Sequence, residues 1–234
     1  MYSFKSRIRF SEVDKTGHLD MASVINYFQD CSMFHSEEVG LGLEYFQAHK
    51  KTWILCSWQV KVFRYPKVYE EVTISTYPYS IKGFMGYRNF AMTDASGEMY
   101  AVADSSWIYI DTETNKPARV TAEDSAPYGI DERLNMDYKK GKILLPKDID
   151  KHEPFSVLPS YIDSNNHVNN GQYVKLAQNY LPEHFYSTEI RVEYRNAAKI
   201  GDIIYPLVHT TETVCTISLT DANGKPFALL EFVS

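Results

Sequence analysis

Ser160-Tyr161-Ile162-Asp163-Ser164-Asn165-Asn166-His167-Val168-Asn169-Asn170-Gly171 has a counterpart 149 residues earlier, Ser11-Glu12-Val13-Asp14-Lys15-Thr16-Gly17-His18-Leu19-Asp20-Met21-Ala22. The offset superposes Asp14 on Asp163 and His18 on His167. The lead-ins agree too: Phe4, Ser6, Ile8 and Phe10 alternate with polar residues, and so do Phe155, Val157 and Tyr161. Thr93-Asp94-Ala95-Ser96-Gly97 resembles Thr220-Asp221-Ala222-Asn223-Gly224, a hairpin-like turn with Gly at the tight position. A weaker pairing sets Phe63-Arg64 against Tyr194-Arg195. Three matches in one order argue for an internal duplication. The copies differ where chemistry would sit, because Thr16, Asp20 and Met21 replace Asn165, Asn169 and Asn170.

The pattern around these stretches gives the fold class. Val24, Phe28, Cys31 and His35 recur three or four apart, which predicts a helix over Met21–Val39, ended by Gly40 and Gly42. Strands rich in Val, Ile, Tyr, Phe and Trp follow near 54–63, 71–79, 84–93 and 100–111. The second copy repeats the order: a strand near 155–161, a helix from about Asn170, then strands near 189–195, 202–211, 214–219 and 227–233. One long helix followed by an antiparallel sheet, twice, reads as an α+β protein with each half a helix wrapped by its sheet. The expected boundaries are residues 1–130 and 151–234, joined by a charged, turn-rich linker at 131–150.

The second copy places a carboxylate, an amide and an imidazole at alternate positions. In an extended segment these point to one side, so Asp163, Asn165 and His167 would converge just ahead of a helix N-terminus. A base, a hydrogen-bond donor and a positive helix end are the parts needed to add water to a carbonyl. The plainer readings are an Asx turn at Asp163, an N-cap at Asn169 or Asn170, and a surface role for His18. A calcium loop is excluded, since Val168 and Val174 stand where Gly and Glu are required. No second His or Cys follows at ligand spacing, so no metal is expected.

Composition narrows the class. A net charge of −6 over 234 residues argues against a general nucleic-acid binder. No apolar run approaches the roughly 20 residues that span a bilayer, so no membrane insertion is expected. Cys31, Cys56 and Cys215 lack redox or metal spacing and read as reduced thiols of a cytoplasmic protein or as core residues.

Asp163-x-Asn165-x-His167-Val168-Asn169-Asn170 ahead of a helix resembles the signature of the acyl-acyl carrier protein thioesterases, the plant FatA/FatB type and their bacterial relatives. Val192-Glu193-Tyr194-Arg195, Phe63-Arg64-Tyr65-Pro66 and Ser105-Ser106-Trp107-Ile108 are similar to further segments of that family, in the family's order. The resemblance spans nearly the whole chain. It implies a tandem double hotdog, hydrolysis of a fatty acyl thioester on acyl carrier protein, catalysis in the second half, and an acyl pocket to which the first half contributes. Met1-Tyr2-Ser3-Phe4-Lys5 leads straight into a strand, which suggests a bacterial relative or a processed chain. The family's Y-R-R-E-C stretch reads here Tyr194-Arg195-Asn196-Ala197-Ala198, so the Glu and Cys positions are both Ala. Glu193 matches an earlier acidic residue of the motif and does not replace that Glu.

The expected catalytic set is therefore Asp163, Asn165 and His167, with no cofactor. Asn165 polarises or orients. An imidazole titrates near pH 6.5, so His167 can accept a proton. Asp163 either fixes the imidazole tautomer or activates water, and the sequence leaves both open. Backbone N–H groups at Val168 and Asn169 are the expected oxyanion donors. Trp53, Trp58, Phe84 and Trp107 are core or acyl-tunnel aromatics, and Lys139, Lys140 and Lys142 are a solvated loop or a dock for an acidic carrier. A tandem pair can stand alone or form a homodimer. The alternatives are a non-catalytic acyl-thioester binding module, an acyl-CoA thioesterase, and, more remotely, a dehydratase of the same fold.

Overall fold

A computed structural model describes all residues, 1–234. Its backbone contacts divide the chain into two compact units, Met1–Tyr138 and Lys139–Ser234. Residues 131–138 of the expected linker thus pack within unit 1 and residues 139–150 within unit 2. Leu134 N–H and the Tyr138 hydroxyl both donate to Asn89 Oδ1 (3.0 and 3.1 Å), and the Arg133 guanidinium lies over the Tyr79 and Tyr138 rings. In unit 2, Ile143 is buried and its N–H donates to Glu193 Oε1 at 2.9 Å.

Unit 1 runs β1 (Tyr2–Arg7), α1 (Met21–Glu38), α2 (Leu43–His49), β2 (Lys51–Val62), β3 (Glu71–Lys82), β4 (Met85–Thr93), β5 (Met99–Asp111), β6 (Lys116–Pro117) and α3 (Ala122–Ser125). The main strands pair antiparallel in the order β1-β3-β4-β5-β2. Asp20 caps α1 by accepting from Ser23 N–H at 2.7 Å, which satisfies one of the free donors at a helix start. The spacing that predicts α1 also selects its buried face: Val24, Phe28, Cys31 and His35 are all buried. Phe28 meets Phe90 and Trp58 of the sheet at ring distances of 5.4 and 6.3 Å. Each such side chain contributes about 1.5–3 kcal/mol through its burial. Trp58 is core; Phe84 is exposed.

The glycines at 40 and 42 do not end the helical region. Gly40 has φ of +74° and closes α1, but Gly42 is the N-cap of α2, a short helix the sequence pattern did not reveal. Phe46 of α2 joins Leu41, Tyr109 and Tyr128 in a small satellite core. Beside it, Asp124 Oδ1 accepts from the Tyr109 and Tyr45 hydroxyls (2.8 and 3.1 Å), and Oδ2 accepts from the N–H and hydroxyl of Thr121. Burial alone would raise this carboxyl's pKa, but the donors from Thr121, Tyr109 and Tyr45 outweigh it and the net shift is downward.

Unit 2 runs β7 (Asp150–Lys151), β8 (Phe155–Ser156), α4 (Asn170–Gln178), β9 (Glu189–Tyr194), β10 (Ile203–Thr210), β11 (Val214–Thr220) and β12 (Pro226–Val233). Its antiparallel order is β9-β12-β11-β10-β7, with β8 also on β10. With β8 in the place of β1, this is the order of unit 1. Tyr173, Val174 and Ala177 form the buried face of α4, which packs on β11 and β12. The lead-in strands are shorter than their alternation predicts. β1 stops at Arg7, β8 has two residues, and 3-10 turns follow at Phe10–Glu12 and Pro159–Tyr161. Phe10 is accordingly 78 % exposed.

The duplication extends to individual hydrogen bonds. In the β4–β5 turn, Asp94 N–H donates to Glu98 O, and Asp94 Oδ1 accepts from Ser96 and Glu98 N–H; Asp221, Asn223 and Lys225 do the same in unit 2, all at 2.8–2.9 Å. Lys67 N–H donates to Glu70 Oε2 and Glu70 N–H to Lys67 O, a pattern repeated by Lys199 and Asp202. Most telling are the two turns before the helices. Asp14 N–H donates to His18 O and Gly17 N–H to Asp14 O; Asp163 N–H donates to His167 O (2.8 Å) and Asn166 N–H to Asp163 O (3.1 Å). Both turns need a left-handed residue, and Gly17 (φ +79°) and Asn166 (φ +61°) supply it.

Two outcomes follow. Asp124→Ala removes the acceptor for two tyrosine hydroxyls and costs about 3 kcal/mol at neutral pH, measured by urea unfolding. Because the folded carboxyl has a lowered pKa, its contribution is present above about pH 4 and fades as acid protonates it, so the gap between parent and variant narrows as the pH falls below that value. Asn166→Gly folds with stability close to the parent, whereas Asn166→Val costs about 1–2 kcal/mol, since a β-branched residue resists the left-handed region.

Candidate active site

The segment that the sequence suggested was extended is a closed turn. Ile162 and Val168 form an antiparallel bridge across it. Asp163 Oδ1 accepts from Asn165 N–H at 2.8 Å and, more weakly, from His167 N–H at 3.4 Å. A short loop closed on itself by its first carboxylate cannot place alternate side chains on one strand face. The curvature of the loop, not strand alternation, sets where Asp163, Asn165 and His167 lie relative to one another. Asn165 lies exposed at the apex; Asp163 and His167 are half-buried at the two ends.

The expected oxyanion donors are a correction. Val168 N–H donates to Ala198 O and Asn169 N–H to Tyr161 O, each at 2.9 Å. Both are consumed in holding the turn, and neither can receive a developing negative charge. The first turn of α4 is capped as well, since Asn169 Oδ1 accepts from Gly171 N–H at 2.9 Å.

What separates the two copies is side-chain pairing. In unit 1 the Thr16 hydroxyl sits 2.6 Å from Asp14 Oδ1 and 2.9 Å from His18 Nδ1, so the polar groups satisfy one another. Burial would raise the Asp14 pKa, but the Thr16 hydroxyl and backbone N–H, with His18, bring it below the usual value. In unit 2 the Asn165 amide, the His167 ring and Asp163 Oδ2 make no hydrogen bond within the chain. The same backbone frame thus carries a self-satisfied trio in one copy and an unsatisfied one in the other.

Two tyrosines that the sequence gave no reason to single out support the turn. The Tyr173 hydroxyl accepts from Ala198 N–H at 2.9 Å, and the Tyr194 hydroxyl donates to Asn170 O at 3.0 Å. Burial pushes the Tyr173 phenol up to about 12 and raises Tyr194 as well, so both stay protonated near neutrality. Their partners are 25 and 24 residues away, a separation with no local periodicity. Ala198 links Tyr173 to Val168 and is fully buried, while Ala197 is exposed. Glu193 is ion-paired with Arg195.

Other candidates lie elsewhere. Lys140 and Lys142 are exposed on the segment that Arg191 ties down through Gly141 O. A concave surface of about 630 Å³ in unit 1, lined by Arg7, Glu71, Thr73 and residues 94–97, holds none of the trio. No helix is long and apolar enough to cross a membrane.

Comparison with known proteins identifies the family and the fold. The family model of the acyl-ACP thioesterase N-terminal domain matches residues 1–128, and that of the C-terminal domain matches residues 146–226. An oleoyl-acyl carrier protein thioesterase of Arabidopsis thaliana is 25 % identical over 96 % of the chain and 68 % of its own length. An acyl-carrier-protein hydrolase of Cuphea viscosissima is 25 % identical over 86 % of the chain. The chain spans about half the length of that relative (52 %) and 65 % of a second Arabidopsis thioesterase. Among solved structures, an acyl-ACP thioesterase from Bacteroides thetaiotaomicron superposes with a TM-score of 0.91 at 21 % identity, covering 99 % of this chain and 96 % of that one. A 12:0-ACP thioesterase from Umbellularia californica gives 0.85 at 20 %, covering 99 % and 96 %. These likenesses establish the α+β hotdog fold. The two family matches together take in most of the sequence, and the chain belongs to the acyl-ACP thioesterases, a family of thioester hydrolases.

Proposed function

We propose that this chain releases free fatty acid from acyl carrier protein thioesters, using Asp163, Asn165 and His167 to deliver water to the carbonyl. The observation that carries the reading is the contrast between the copies: only the unit 2 trio leaves its polar atoms unpaired. His167 takes the proton of the attacking water. The new C–O bond pushes negative charge onto the carbonyl oxygen, where the Asn165 amide donates. Asp163 Oδ2 orients the water or the imidazole while Oδ1 keeps the turn closed. Collapse breaks the C–S bond, and the proton held by the imidazole passes to the departing sulfur. Ala198 leaves no thiol for covalent attack at that position.

Cys31, Cys56 and Cys215 form no disulfide, which fits a reducing compartment such as the bacterial cytoplasm. The second reading, a binding module without catalysis, is favoured by one feature, the methyl groups at Ala197 and Ala198.

The test is free-thiol release from acyl carrier protein carrying fatty acyl groups. Asn165→Ala and His167→Ala each lower turnover on the order of a hundred- to a thousandfold, with thermal unfolding unchanged. Thr16→Ala and His18→Ala in the twin turn leave turnover near the parental rate. Parental turnover in both unit 2 variants removes the trio from the mechanism. No thiol release by the parent chain at any acyl length establishes the binding module instead.

A further inference from the structure

The two copies hold their helix-entry turns by different means, and their backbone hydrogen bonds align them residue by residue. Leu19 N–H donates to Pro66 O and Val168 N–H to Ala198 O (2.8 and 2.9 Å), so Pro66 and Ala198 correspond. Val24 N–H donates to Asp20 O and Tyr173 N–H to Asn169 O, so Val24 and Tyr173 correspond. Phe63 N–H and Arg195 N–H donate alike to Tyr100 O and Phe227 O, each at 2.8 Å. That sets Val62, the last residue of β2, against Tyr194, the last of β9.

In unit 1 the turn is held at its apex. The Thr16 hydroxyl bonds both Asp14 and His18, and Val68 N–H donates to Gly17 O at 2.9 Å. Unit 2 makes neither bond. Asn165 stands in the place of Thr16 without pairing to its neighbours' side chains, and Ile200, in the place of Val68, gives no N–H to Asn166 O.

Unit 2 is fastened behind the turn instead. The Tyr173 hydroxyl accepts from Ala198 N–H at 2.9 Å, and the Tyr194 hydroxyl donates to Asn170 O at 3.0 Å. Neither bond can exist in unit 1, where the side chains of Val24 and Val62 carry no polar atom. The exchange is matched at both ends of the Tyr173 bond. Ala198 is fully buried, and an N–H there without an acceptor would be costly. Pro66 has no N–H to satisfy, so unit 1 does without a hydroxyl. Unit 1 does employ a tyrosine, but ahead of the turn, where the Tyr27 hydroxyl donates to Glu12 Oε2 at 2.7 Å.

The route from Tyr173 to the imidazole is short. Tyr173 is 2 % exposed and stands on α4. Its hydroxyl holds Ala198, and Ala198 O holds Val168, the residue after His167. From the end of β9, Tyr194 holds Asn170, the first residue of α4. The exit of the turn is thus tied to a helix and a strand, while Asn165 and Asn166 at the apex stay exposed. Reactive groups need this kind of support, since a site held by rigid elements keeps its geometry better than a free loop.

We propose that Tyr173 and Tyr194 are positioning residues for thioester hydrolysis. They set the His167 imidazole from behind the turn and so release the polar atoms of the trio from holding their own loop. This deepens the hydrolase reading and rests on it.

The experiment uses the full chain with Tyr173→Phe and Tyr194→Phe, which remove only the hydroxyls. Tyr173→Phe is expected to lower kcat for acyl carrier protein thioesters by about ten- to a hundredfold and to leave KM within about twofold. Tyr194→Phe lowers kcat in the same way. The imidazole is followed directly by proton–carbon correlation NMR of the free protein, with the His167 signal assigned by its loss in His167→Gln. That signal moves and broadens in both phenylalanine variants, and those of the other histidines stay. Tyr173→Phe also leaves Ala198 N–H without an acceptor. The paired variant Tyr173→Phe with Ala198→Pro removes the orphaned donor as unit 1 does. Its unfolding temperature returns towards the parental value while kcat stays low. A purely structural tie gives the opposite, with kcat recovering alongside stability in the paired variant. Parental kcat in both phenylalanine variants, or an unmoved His167 signal, overturns the proposal. A parent that releases no thiol sinks the hydrolase reading by itself. The His167 signal needs no turnover and then still decides whether the phenols set the imidazole.

Discussion

A single carboxylate oxygen holds each half's helix-entry turn in shape. Asp14 Oδ1 and Asp163 Oδ1 both accept the N–H groups of the residues two and four further on. That pairing curls five residues into a loop small enough for its first and last members to share a backbone hydrogen bond. Everything near the candidate chemistry depends on it. The curl fixes where the imidazole starts, delivers Val168 to Ala198, and sets Asn169 as the cap of α4. In unit 2 it spends one oxygen of Asp163 on structure and leaves the other without a hydrogen-bond partner in the chain.

The two copies show how little separates a turn whose polar side chains pair with one another from one whose side chains stay unpaired. Backbone bonds, the left-handed residue and the bridge across the turn are common to both. A threonine at position 16 is short enough to reach the neighbouring carboxylate and imidazole, and it neutralises the trio internally. An asparagine at position 165 carries its amide out into solvent. Unpaired polar groups cost little at an exposed apex and are available to a substrate, so the difference lies in which acceptor each donor finds.

Much of this was legible in the sequence because it is periodic or repeated. The 3.6-residue pattern of Val24, Phe28, Cys31 and His35 located α1 and its buried face, and the Thr-Asp-Ala-x-Gly repeat located the two hairpins. The repeat could have been carried further, since Lys67-Val68-Tyr69-Glu70 and Lys199-Ile200-Gly201-Asp202 share their spacing and their hydrogen bonds. Features set by long-range contact were not legible. Helix α2 has too few residues for a clear period and is held by Tyr109 and Tyr128. The support of the turn by Tyr173 depends on a partner across the unit. Alternation suggested an extended Asp163–His167 segment because the pattern of polar residues is the same in a strand and in an Asx-closed loop. Asn166, in the left-handed region, was the residue that could have separated the two.

Direct attack by water held at the Asp163–His167 turn is the central claim, and intact-mass spectrometry of the chain during a rapidly quenched single turnover tests it most directly. The account predicts that the acyl thioester disappears while the mass of the protein stays unchanged at every time point. A transient increase equal to the acyl group, mapped to Asp163 or to any other side chain, contradicts it.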